Sequence, residues 1–342
     1  MHTGAGISAL QVDRNSHVRI GVVIVSHQSA GCLRSCLEAC TRYAYPSEGM
    51  VVVDNASTDE SVHVASGVPG VTVLPNPDNP GFAAGVNQGF RALPNAELVL
   101  VLNPDAVLRS DVTPLVRCFD DPLTAIAAGA LCDQNGQPQS GFTVRRLPSV
   151  AALTLENLAI NRIWPGNSVN TRWRCLDLDL SRSQSVEQPA GAFLLIRREA
   201  WRAVGGFDER FRPVWFEDVD FCLRVMESGY IIHYEPLALA VHVGGHSIRS
   251  VEWSERQLYW NENLLRYSGL HFNLAGQVVI ALSVAIGGAI RGVWETLRRG
   301  SPGPLRVVIV ILLAAGSAIW RAIRSPHVVR SKDNREVNSE RG

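Results

Sequence analysis

Three carboxylates fall within four positions at Glu217, Asp218 and Asp220, fenced by Trp215 and Phe216 on one side and Phe221 on the other. Acids this close repel one another unless a cation lies beside them or one keeps a proton. Asp220 and Arg224 stand four apart and pair along one face if the segment is helical. That leaves Glu217 and Asp218 facing whatever the preceding glycine-rich loop encloses. A carboxylate within hydrogen-bond reach of a hydroxyl is a general base; acids at a helix start also serve simply to complement its positive end. Other candidates are spread along the chain: Asp54-Asn55, Asn103-Pro104-Asp105 and His242. Imidazole and carboxylate are common partners around a divalent cation, although a single histidine in a strand is more often structural.

The elements that must position these groups follow from the apolar pattern. Ile20–Val25, Met50–Val53, Val71–Leu74, Leu98–Leu102 and Ala125–Leu131 are short apolar runs, separated by helical patterns at about 31–43, from about Ser57, at 85–93 and at 111–120. Such alternation predicts an α/β fold whose mostly parallel sheet is covered on both faces. Ligands then bind beyond the carboxyl ends of the strands. Ser26 closes the first run, Asp54 and Asn55 the second, Asn103 and Asp105 the fourth. Asp54 is placed to accept a base imide hydrogen or to cap the next helix. Asn87, one turn into the helix after Asn79-Pro80-Gly81, is placed to aim an amide at a base or ribose. Neither G-x-G-x-x-G after the first strand nor G-x-x-x-x-G-K-[ST] occurs. A diphosphate here therefore calls for a metal ion, with Asp105 as the carboxylate available.

The 342 residues suffice for a large core, and formal net charge is zero, so nothing points to nucleic acid. Positive charge is almost all arginine, Lys332 being the sole lysine. Seven cysteines without a C-x-x-C pair argue against a disulfide framework and against zinc. Cys32, Cys36 and Cys40 share a helix face and read as buried packing. The segment 1–18 has no apolar run and does not read as a signal peptide, which suggests a reducing, cytoplasmic setting. Residues from about 134 to 188, with Arg145, Arg146, Arg172 and Arg174, show no clear period and read as an insertion facing a second substrate. Gly191–Ile196, 230–234 and 237–243 read as further strands.

In their order and spacing, Val53-Asp54-Asn55-Ala56-Ser57-Thr58-Asp59, Asn79-Pro80-Gly81-Phe82, Leu102-Asn103-Pro104-Asp105, Gly191-Ala192-Phe193, Gly205-Gly206-Phe207-Asp208, Glu217-Asp218-Val219-Asp220 and His242 resemble family 2 glycosyltransferases of the GT-A fold. Within that family the chain is most similar to bacterial rhamnosyltransferases acting on lipid-linked acceptors. The resemblance covers about residues 19–250. It implies an inverting transfer from a nucleotide-diphosphate sugar, such as dTDP-rhamnose, to a lipid-linked saccharide. UDP-galactofuranose, UDP-GlcNAc or UDP-glucose as donor, and a non-catalytic sugar-nucleotide binder, remain alternatives. It implies Asp218 as base with Glu217 in support, and Ser26, Asp54, Asn55, Asn87 and Asn103 on the nucleotide. It further implies Asp105 and His242 on Mg²⁺ or Mn²⁺, and Trp215 against the acceptor. Asn103 stands where the family's D-x-D motif has its first acid, which removes a charge from the metal site. A homodimer is an allowed assembly.

The expected organisation is an N-terminal tail at 1–18 and a catalytic domain at 19–250, with a nucleotide half to about 131 and an acceptor half after it. C-terminal helices at 251–325 and a polar tail at 326–342 follow. Leu274–Ile290 and Val307–Trp320 are apolar runs shorter than the roughly 20 residues a spanning helix needs. If they spanned as a hairpin, the loop with Arg291, Arg298, Arg299 and Arg306 would lie outside, against the positive-inside tendency. Helices lying in the plane of the inner membrane's cytoplasmic face, arginines on anionic headgroups, fit the pattern better.

Overall fold

The computed structural model describes residues 18–244 and 251–324. The tails expected before Val18 and from 326 onward lie outside the described residues, as do Gly245, His246 and Ser247 beyond the strand that carries His242. The strands are β1 (Ile20–Ser26), β2 (Met50–Asn55), β3 (Val71–Asn76), β4 (Leu98–Leu102), β5 (Ala106–Leu108), β6 (Thr124–Cys132), β7 (Val144–Arg145), β8 (Gln184–Ser185), β9 (Gln188–Pro189), β10 (Phe193–Arg197) and β11 (Ile231–His242). The helices are α1 (Ala30–Tyr43), α2 (Ser61–Ser66), α3 (Phe82–Ala92), α4 (Thr113–Arg117), α5 (Val150–Asn157), α6 (Ile160–Ile163), α7 (Ser168–Trp173), α8 (Arg198–Ala203), α9 (Glu217–Glu227), α10 (Trp253–His271), α11 (Leu274–Arg299) and α12 (Gly303–Arg324).

The main sheet runs β3-β2-β1-β4-β10-β6-β11-β5, with β8 against β11. The first four positions are parallel, as helical crossovers dictate. Alternate residues of each strand go to opposite cores. Val22, Ile24, Leu100 and Leu102 pack under α1 with Leu33, Cys36 and Leu37, while Val23, Val25, Val99 and Val101 pack under α3 with Phe90. A β-carbon on Gly89 would lie 2.4 Å from Val23, so glycine is what lets α3 lie this close to β1. All seven cysteines are unpaired, with Cys36 and Cys40 in the core beside α1.

The sheet is of the expected α/β, mostly parallel kind, with β10 entering antiparallel between β4 and β6. Three other expectations change. The runs at 230–234 and 237–243 form the single strand β11, whose register against β6 shifts between Ile231 and Ile232 and again between Glu235 and Leu239. The segment 134–188 is structured: α5, α6, α7 and three two-residue strands, all too short to leave a periodic signal. Finally, α11 and α12 have 26 and 22 residues, continuing through charged positions past the apolar runs. Both are long and apolar enough to cross a membrane by length and composition. They pack on each other and on α5 and α10 around Ile280, Val284, Val307 and Ile311, next to Phe216 and Tyr267.

Candidate active site

Strand pairing assembles the site. Leu102 of β4 faces Phe193 of β10, and the Asn103 amide donates to Ala192 O at 3.0 Å, which joins two loops distant in sequence. His242 pairs with Ala106 across β11 and β5, and the Val243 amide donates to Asp105 O at 3.1 Å. A cavity of about 410 Å³ results. Its walls include Asn55, Asn103, Asp105, Trp215, Glu217, Asp218 and His242. A larger cavity, about 810 Å³ around Arg197 and Arg198, lies at the other ends of β1 and β4, where α/β sheets do not bind ligands.

The acidic stretch opens α9, the acids occupying its first turn. Trp215 and Phe216 adopt left-handed backbone at φ 79° and 72°, costing of order 1–3 kcal/mol each. Packing of both rings on Trp260 opposes that cost. Asp218 Oδ2 accepts from the Gly191 amide at 3.0 Å and from Gln188 Nε2 at 3.3 Å; Oδ1 accepts from the Val219 amide at 2.8 Å. Burial pushes the Asp218 carboxyl above its ordinary value, opposed by these amides and by Arg145. Glu217 is buried, with Oε2 finding no partner among the described residues. Burial and then Asp218 raise its carboxyl well above the ordinary range.

Asp220 takes no part in the cavity. Arg224 binds its Oδ2 at 2.7 Å, as expected from the spacing, and His271 Nε2 lies 2.8 Å from Oδ1. Its side chain is 2% exposed, and through His271 it fastens α9 to α10. Asp220→Ala leaves the Arg224 guanidinium uncompensated and His271 Nε2 without its partner, and is expected to cost about 3 kcal/mol in chemical denaturation. A loss below about 1 kcal/mol would remove this role.

His242 and Asp105 form the cation candidate. Gln139 Nε2 must face the His242 carbonyl, which only accepts, at 2.7 Å. Its Oε1 therefore faces Nδ1 at 3.0 Å, fixing the proton on Nδ1. The Nε2 lone pair then points at Asp105 Oδ1, 3.4 Å away. Two acceptors facing each other at that distance need a proton or a metal ion between them, and a hydrogen-bonded Nδ1 is the usual support of a metal-bound Nε2. Among the described residues no three His, Cys, Asp or Glu side chains converge. Two protein ligands suit Mg²⁺ or Mn²⁺, whose remaining positions go to phosphate and water.

Three expected nucleotide contacts sit elsewhere. Asn87 points away from the cavity: its amide makes four bonds, to Phe207 O and N, Glu209 and Trp201 Nε1, and clamps the glycine loop instead. Both Asp54 oxygens accept from Ser57, 2.9 Å from its amide and 2.6 Å from its hydroxyl, which closes the turn after β2 just behind the cavity wall; α2 begins only at Ser61, so Asp54 does not cap it. Ser26 is fully buried and lies beneath that wall. Asn55 reaches the cavity, but its side chain is engaged by Gly81 O and Asn76. Gln139 and Gln188 were missed, and Gly191 was marked only as part of a motif; the turn after β6, the pairing of β7 with β9 and the loop before β10 bring the three to the site.

A GT-A α/β framework with carboxylates at its strand ends is the scaffold of a nucleotide-sugar transferase. The chain belongs to glycosyltransferase family 2: the family model described as "Glycosyltransferase like family 2" matches residues 17–262. It is similar to the N-acetylglucosaminyl-diphospho-decaprenol L-rhamnosyltransferase of Mycobacterium tuberculosis, 28% identical over 239 residues that cover 66% of this chain and 76% of that one. The O-antigen chain rhamnosyltransferase RfbN of Salmonella typhimurium is 22% identical over 68% of each chain. Among solved structures, GalNAc-T7 with UDP, GalNAc and Mn²⁺ shares the fold at a TM-score of 0.50 and 14% identity, covering 67% of this chain. This chain spans 44% of that one.

Proposed function

We propose that the protein transfers L-rhamnose from dTDP-rhamnose to a hydroxyl of a lipid-linked sugar, with inversion, in cell-wall or surface polysaccharide assembly. The observation that carries the reading is the position of Asp218 on a wall common to two cavities. One, holding Asn103, Asp105 and His242, suits the donor; the other, around Trp215 and Trp260, suits the acceptor. Asp218 takes the acceptor hydroxyl proton as that oxygen bonds to the anomeric carbon and the sugar–diphosphate bond breaks. Glu217, its carboxyl raised by burial and by Asp218, supports the base from the neighbouring position. Asp105 and His242 hold Mg²⁺ or Mn²⁺, which supplies positive charge against the leaving diphosphate. Asn103 donates to ribose, and Asn55 lines the base end. The names of both relatives favour rhamnose and, for the mycobacterial one, a diphospho-lipid acceptor.

A panel of nucleotide sugars against a polyprenyl-diphosphate N-acetylglucosamine tests this. Turnover with dTDP-rhamnose is expected. Turnover only with a UDP-sugar would replace the donor, and donor binding without transfer would leave a binding protein.

Lipid access supports an in-plane membrane surface at the cytoplasmic face. Ile286, Ile290, Trp294 and Leu297 of α11 and Ile309, Leu313 and Trp320 of α12 are exposed. Midway along α11, Arg291 binds Asn157 O and Gln257 of the catalytic body. Crossing a bilayer at that depth would drag α5 and α10 into hydrocarbon, which in-plane binding avoids. Leu297→Asp combined with Leu313→Asp is expected to weaken co-sedimentation with anionic vesicles at least ~10-fold. Unchanged binding would exclude this face.

A further inference from the structure

On the far side of Asp218 from Asp105, a cavity of about 250 Å³ is lined by Arg145, Trp173, Arg174, Gln188, Trp215 and Trp260, among others. The β7–β9 ladder, which pairs Arg145 with Gln188, sets both beside the base. Arg145 Nε donates to Gly141 O at 2.7 Å, and its guanidinium stands 5.4 Å over the Trp173 ring. Its two terminal nitrogens donate to no acceptor among the described residues. Arg174 lies against the same indole at 5.1 Å and is paired with Glu156 at 3.1 Å. Burial and the neighbouring Arg174 push the Arg145 guanidinium down to about 10. A guanidinium fork left open in a half-buried pocket matches the paired oxygens of a phosphate or carboxylate. The cavity also faces the apolar helices. Its wall residue Glu156 precedes Asn157, which donates to Ser283 of α11 at 3.1 Å and receives Trp260 Nε1 at 3.4 Å.

We propose that this cavity binds the acceptor's diphosphate linker, gripped by the open fork of Arg145 with Arg174 as second cation, so that the attached sugar reaches Asp218 and the lipid leaves toward α11. This rests on the transfer reaction proposed above.

Two acceptors separate the roles: farnesyl-diphosphate-linked N-acetylglucosamine and the octyl glycoside of the same sugar, which lacks the diphosphate. Arg145→Gln is expected to raise KM for the first at least ~10-fold, the scale of charge-assisted hydrogen bonds, with KM for the second within about twofold. Arg145→Lys restores part of the loss, and Arg174→Gln gives a smaller rise with the same selectivity. An equal rise for both acceptors, or a fall in kcat and a shifted pH profile with KM unchanged, would overturn the proposal by making Arg145 a tuner of Asp218. Binding of farnesyl diphosphate alone, measured with saturating dTDP in the donor cleft, is independent of the reaction. Binding weakened by Arg145→Gln without transfer to either acceptor retains the diphosphate site and sinks the proposed reaction; binding equal to wild type overturns the site.

Discussion

Asp218→Asn is expected to leave nucleotide-sugar affinity within about twofold while lowering turnover at least ~100-fold, the usual share of a general base. The substituted amide keeps the shape and its oxygen can still accept from the Gly191 amide, while its nitrogen replaces the oxygen that accepted from Val219, so chemical denaturation of the variant is measured alongside turnover. What disappears is the ability to take a proton. In the wild type, kcat/KM should rise with pH through the Asp218 ionisation, which burial has moved above the ordinary carboxyl value. Near-wild-type turnover in Asp218→Asn would remove it as base. Glu217→Gln separates the neighbours: if Glu217 is already protonated, glutamine imitates it and activity stays within about fivefold. Stability gives the same answer independently. A carboxyl raised in the folded state contributes its stability below the unfolded value and loses it as pH climbs toward the folded value. Glu217→Gln should therefore flatten the decline of stability above the ordinary carboxyl range.

Removal of divalent metal by chelator is expected to abolish transfer, with Mn²⁺ or Mg²⁺ restoring it. Asp105→Asn should weaken Mn²⁺ binding, read by electron paramagnetic resonance in the presence of nucleoside diphosphate, at least ~10-fold, the scale of an altered metal ligand set. Gln139→Leu frees the His242 tautomer without touching the ligands and should weaken Mn²⁺ by a smaller factor in the same measurement. Full transfer in excess chelator would show that the Asp105–His242 contact is closed by a proton instead.

Legibility followed the length of the elements. The strands β1 to β4 are buried throughout or carry β-branched runs, and their ends marked Asn103 and Asp105 directly. The helical pairing of Asp220 with Arg224 was equally plain from spacing. Asn87 misled because an amide at a glycine-rich helix entry serves a ligand or a neighbouring loop with the same local sequence, and only the position of Phe207 decides between them. Arg145 was noticed within an insertion facing a second substrate but given no role of its own, since the two-residue strand that orients it has no period to read. The two C-terminal apolar helices were read too short because apolar runs stop at the first charge, whereas backbone hydrogen bonding continues past it.

The antiparallel entry of β10 has a consequence for how such a chain can diversify. The excursion after β6 departs from and rejoins the sheet at one end, Cys132 and Phe193 lying on the same side of the Leu194–Ala128 pairing. Its contents can be exchanged, lengthened or rewired without moving the register of β1, β2 and β4. Under the proposed transfer, the half that would grasp the activated sugar is thus a fixed jaw, and the half that would choose where the sugar goes is a replaceable one.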